Sequence, residues 1–185
     1  MRSVKWMSAG FCAGLLFSAG PSFAAGASPQ TTETAPAAPT DRTFVVRALG
    51  VNQTEIVLGQ MAIKRGTTLE VRAMGEKMVQ RHTELARQLR ELAQIDPASG
   101  PPTLSADQQK TIERLAAVSE YEFDSAFKNT VGAGHVEELA MYREEVSHAA
   151  DPRLGAFAKG RVTALEQSMA SASPAPSVPP ERRGW

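Results

Sequence analysis

From Asp41 to about Met169 the apolar residues of this chain recur by threes and fours, and no segment shows a convincing period of two. That spacing gathers side chains on one face of an α-helix, so the chain can bury its apolar residues only by packing helix on helix. Asp41 is placed to cap a first helix to about Lys64, ended by Gly66, with the stripe Phe44, Ala48, Val51, Glu55, Leu58 and Ala62. Thr67 or Thr68 caps a second helix to about Gln94, with Val71, Gly75, Met78, His82, Leu85, Leu89 and Leu92 on its stripe. Asp96-Pro97, Gly100 and Pro101-Pro102 then enforce a loop.

Ser105 opens a short helix to about Val118, in which Ile112 and Leu115 turn inward. A longer helix follows through Phe123, Phe127, Val131, His135, Leu139, Tyr142, Val146 and Ala149. Asp151 caps and Pro152 opens a last helix bearing Leu154, Ala158, Val162, Leu165 and Met169. The predicted fold is all-α, a four-helix bundle with one extra short helix in the central connection.

The two ends read differently. Arg2 and Lys5 precede an apolar run from Met7 to Gly20, Pro21 breaks it, and Ser22-Phe23-Ala24 places small residues where a signal peptidase reads. The run is about 14 residues long, short of the ~20 a membrane span needs. Cys12 follows Phe11 rather than a small residue, which argues against a lipid anchor. The expectation is a cleaved signal peptide over residues 1–24, export to the periplasm and no stable membrane anchor afterwards. Ala25 to Thr40, rich in Ala, Pro, Thr and Ser, reads as a disordered linker, and 173–185, with four prolines, as a disordered tail. Residues 41–172 form the domain between them.

Cleavage would remove the sole cysteine, and with it thiol and disulfide chemistry. It also removes two of 20 basic residues, leaving 18 against 20 acidic ones, a net charge of −2. Such a balance with interspersed signs offers no footprint for nucleic acid. The sequence holds no G-x-x-x-x-G-K-[ST], G-x-S-x-G or H-E-x-x-H, so nucleotide-dependent and nucleophilic hydrolase chemistry have no support.

Three stripe positions are polar where an apolar residue is expected: Glu55, His82 and His135. Counting from the Lys64–Thr68 turn, Glu55 lies about 10 residues back and His82 about 14 forward, a level difference of roughly 6 Å. His135 reaches mid-bundle whether the long third helix runs antiparallel to the second or parallel to it after a crossover, and Glu138 can join it there. Carboxylate and imidazole together suit a divalent transition metal. A di-iron centre needs two Glu-x-x-His segments, whereas Val79 and Gly132 stand three residues before the two histidines. The competing reading is a buried Glu–His network, each imidazole hydrogen-bonded to Glu55 or to a carbonyl. His148 reads as a helix-end cation, Asp124 as a cap, and Met61, Met74, Met78, Met141 and Met169 as core.

Three stretches carry a family resemblance over most of residues 42–172: Asn52-x-x-Glu55-Ile56-x-Leu58-Gly59-x-x-Ala62, Met78-Val79-x-x-His82, and Phe123-Asp124 followed by His135. With them the chain resembles the exported, ferritin-like helical proteins grouped as domain of unknown function 4142. The resemblance implies a ferritin-like periplasmic four-helix bundle and no established activity. It carries over Glu55, His82 and His135 as metal-site candidates. The chain departs from the family's pattern at Arg81, where Asp usually precedes the histidine, at Phe127, where Tyr is common, and at Ser168, which often is a third His.

Three functions compete. The favoured one is a non-enzymatic exported helical protein of envelope or stress physiology, with no firm cofactor and a weak ligand pocket. The second is a metal-binding or oxidoreductase-like ferritin relative using Glu55, His82 and His135. The third is an interaction module whose Pro-rich ends or Trp185 contact an envelope protein partner.

Overall fold

The computed structural model describes residues 39–172. The expected signal peptide, the tail over 173–185 and all but the last two residues of the expected linker lie outside them. The described chain folds into α1 (Pro39–Arg65), α2 (Leu69–Leu92), a 3-10 turn (Pro97–Ser99), α3 (Ala106–Ala117), α4 (Glu120–His148) and α5 (Pro152–Ala172). No strand occurs among the described residues, and no helix there is long and apolar enough to cross a membrane.

Local chemistry explains most of these bounds. Thr68 caps α2 through its hydroxyl, which accepts from the Val71 amide at 3.3 Å. Ser105 and Gln108 form a reciprocal capping box on α3, at 3.2 and 2.8 Å. Asp151 accepts from the Arg153 amide at 2.8 Å as α5 opens. α1, however, begins at Pro39, so Pro39 and Thr40 are helical rather than linker.

Asp41 and Asp124 are caps of an unexpected kind. Asp41 lies inside the first turn of α1 and accepts from the amides of Ala150 (3.0 Å) and Asp151 (2.8 Å), in the turn between α4 and α5. Asp124, in α4, accepts from the amides of Thr67 (2.9 Å) and Thr68 (3.0 Å), and from both threonine hydroxyls at 2.8 Å, in the turn between α1 and α2. Each hairpin thus caps the turn of the other. The sequence separation between Asp41 and Asp124 also separates Phe44 from Phe127, Glu55 from Glu138, Thr68 from Asp151 and Val71 from Leu154. The hairpins α1–α2 and α4–α5 are therefore copies in register.

These clamps set the directions. The start of α1 meets the end of α4, and the start of α4 meets the end of α1, so the two run antiparallel. α2 and α4 are consequently parallel, joined by a crossover that carries α3. Arg65 fastens α3 in place: its guanidinium donates to the carbonyls of Leu115 (3.1 Å), Ala116 (2.9 Å) and Val118 and lies 4.5 Å over the Phe123 ring. α1 and α2 approach to backbone contact at Gly59 and Gly75. A Cβ added at Gly75 would stand 2.6 Å from the Gly59 carbonyl oxygen.

The apolar interior falls into two clusters. One gathers Phe44, Ala48, Leu89, Tyr142, Leu154 and Leu165, and the other Leu58, Ala62, Val71, Leu115, Phe123 and Val131. Three expected stripe positions need correction. On α1 the buried residue is Asn52, with Val51 only half-buried beside it. Val146 is exposed, and Glu145 is buried in its place. On α5 the buried residue is Arg161, with Val162 only half-buried beside it. From Val131 onward in α4, and along α5, the inward face steps alternately by four and three, the repeat that keeps one seam against a packed neighbour.

Candidate functional site

Between the two apolar clusters lies a polar layer drawn from four helices. α1 supplies Asn52 and Glu55, α2 supplies His82, α4 supplies His135, Glu138 and Tyr142, and α5 supplies Arg161. Glu55, His82, Glu138 and Arg161 are buried, and His135 is half-buried. Each carboxylate sits on the stripe of a hairpin's first helix, and the two occupy corresponding positions of the internal repeat.

The first contact in this layer fixes a tautomer. The Asn52 side-chain amide donates from Nδ2 to the Ala48 carbonyl at 2.7 Å, so its Oδ1 is the atom 3.0 Å from His82 Nδ1. His82 must donate there, which leaves a lone pair on Nε2. Burial, aided by the positive charge of Arg161 and by His135 and Arg81, lowers the His82 pKa to about 3, so the ring is neutral. Burial lowers His135 as well, against the pull of Glu138.

The second contact is a buried ion pair. Arg161 Nη2 donates to Glu138 Oε1 at 2.9 Å, and the guanidinium lies 5.7 Å from the Tyr142 ring centroid. Glu55 has no such partner: its Oε2 is buried without a hydrogen bond, as is Glu138 Oε2. Burial, and next the Glu138 charge, push Glu55 up to about 8, with Arg161 pulling the other way. At neutral pH Glu55 is a neutral carboxylic acid.

Glu55, His82 and His135 thus share one layer, but the hydrogen-bond partners differ from a Glu–His network. His82 pairs with Asn52, and Glu138 pairs with Arg161. Among the described residues no three His, Cys, Asp or Glu side chains are grouped to hold a metal ion. The charge that balances the layer comes instead from Arg161, which sequence reasoning missed. Its signal was present, because Leu154, Ala158, Arg161, Leu165 and Ser168 step by fours and threes, but a charged side chain was not counted as an inward one. Ser168 is half-buried, and Arg81 is exposed. His148 lies in the last turn of α4 with Nδ1 2.9 Å from the Glu144 carbonyl oxygen, at the helix end as expected.

Hairpins closed by reciprocal aspartates over a carboxylate–imidazole–guanidinium layer define an all-helical protein with a polar interior. The family described as domain of unknown function (DUF4142) matches residues 26–174, and the chain belongs to that family. No curated protein and no solved structure is detectably similar to it.

Proposed function

We propose that this is an exported, non-enzymatic protein of the periplasm, a ferritin-like four-helix bundle serving envelope or stress physiology, whose polar layer neutralises itself. The Arg161–Glu138 pair carries the reading: it puts a fixed guanidinium where a metal-binding bundle would need its cation. The single long crossover between α2 and α4 supports the ferritin-like topology, since one long connection marks those bundles. The opening segment of the sequence supports export. Elemental analysis of protein released from periplasm, without added metal or a chelating tag, should find no stoichiometric metal. A chelator should leave the melting temperature unchanged, and intact mass should lack residues 1–24.

One observation favours a second reading. The Nε2 lone pair of neutral His82, the free Glu55 Oε2 and the half-buried His135 are donors of the kind a divalent transition metal takes. Stoichiometric metal that is lost in His82→Ala would establish this reading over the first.

A further inference from the structure

A groove of about 1210 Å³ lies between α1, α3 and α4, with Glu55 and Glu138 among its lining residues. Its volume exceeds the roughly 1,000 Å³ at which most small-molecule sites end, so a small ligand would occupy only part of it. The apolar wall comes from Val51, Leu58, Leu115 and Met141. The α4 side is cut back to Ala126, Ala133 and Gly134, and a Cβ at Gly134 would stand 3.0 Å from Glu55 Oε1. A side chain there would crowd the carboxyl, so the small residue keeps the approach to Glu55 open.

At the inner end, Glu55 is only 4 % exposed, and its Oε2 has no partner. A buried polar group left unsatisfied is costly, and a ligand group that pairs with the carboxyl recovers that cost. The nearest fixed cation cannot serve, because Arg161 is engaged by Glu138. Of the three cations lining the groove, Arg47 pairs with Glu144 at 3.3 Å and Lys110 with Asp107 at 3.5 Å, while Arg114 donates to the Thr111 hydroxyl at 3.0 Å.

We propose that this groove is a binding site for a small organic amine, whose apolar body lies between α1, α3 and α4 and whose ammonium docks on Glu55. Four carboxyl groups line the groove, Glu55, Asp107, Glu137 and Glu138, against the three cations Arg47, Lys110 and Arg114, a balance that disfavours an anion. Glu55 is protonated at neutral pH, so docking of the ammonium is coupled to release of the Glu55 proton. The ion pair then formed is charge-assisted, stronger than the bond a neutral hydroxyl would make, and amine binding tightens as pH rises toward 8. The inference goes beyond the reading above and does not depend on export or on the absence of a metal.

Calorimetric titration of the full chain with hexylamine, hexan-1-ol and hexanoate tests it, since the three share a tail and differ in head group. Hexylamine should bind at least about tenfold more tightly than hexan-1-ol, and hexanoate should not bind. Glu55→Gln should erase that preference, and Gly134→Leu should abolish amine binding with the circular dichroism spectrum of the wild type. Equal affinity for amine and alcohol, failure of the amine to bind, or a preference that survives Glu55→Gln would each overturn the proposal. If Gly134→Leu does not fold, Ala133→Leu on the same wall provides the steric test, and unchanged amine binding there would also count against the site.

Discussion

Asn52 Oδ1 accepts the proton of His82 Nδ1 across the α1–α2 interface at 3.0 Å, and this single contact decides which imidazole nitrogen is free. Asn52→Ala would leave a buried N–H unsatisfied, at a cost of about 1–3 kcal/mol. Asn52→Asp would place a negative charge on the same atom and raise the His82 pKa from about 3. Proton NMR titration of the imidazole signals checks both the direction and the residue; an unmoved His82 in Asn52→Asp would refute the contact.

The Arg161–Glu138 pair should show the asymmetry of a buried ion pair. Arg161→Met strands the Glu138 carboxylate and should lower stability by about 3–5 kcal/mol in urea denaturation. Adding Glu138→Leu removes the stranded charge and should recover most of that loss. A double variant as unstable as the single one would show that the two groups are not partners in solution.

Stability should depend on pH through opposing groups. Glu55 is raised to about 8 and Glu145, buried near Asp41, to about 7. Both hold a proton in the folded state that the unfolded chain has released, so their contribution is complete below about pH 4.5 and is lost as pH rises through 7 and 8. His82 acts oppositely: its contribution is complete above pH 6.5 and is lost as pH falls toward 3. The slopes oppose one another from 4.5 to 6.5, and above 6.5 the carboxyl slope remains alone. Stability should therefore fall between pH 6.5 and 8, with Glu55 adding at most about 1.4 kcal/mol per pH unit. Glu55→Gln should flatten that limb in melts recorded across this range.

Two glycine substitutions should have opposite signs. Gly75→Ala gains about 1 kcal/mol of helix propensity. Its Cβ would nevertheless meet the Gly59 carbonyl at 2.6 Å and the Ala62 Cβ at 2.9 Å, so the helices must separate. The net effect should be a loss of about 1–3 kcal/mol. A Cβ at Gly132 meets nothing within 4 Å, and Gly132→Ala should stabilise by up to about 1 kcal/mol. Paired thermal melts distinguish the two.

Helix existence and extent were legible in the sequence because their causes are local. Thr68, Ser105 and Pro152 act within one turn of themselves, and the three-four stepping needs no knowledge of what packs against it. Glu55, His82 and His135 stood out for the same reason, as polar residues on apolar stripes. What tertiary structure decided were the choices with two locally equal answers. Glu145 or Val146, and Arg161 or Val162, fit a helical repeat equally well, and only the packed neighbour selects between them. Asp41 and Asp124 could have capped their own helices. They cap turns 109 and 57 residues away instead, because the folded hairpins bring those amides to them, and no local pattern encodes a contact across that separation.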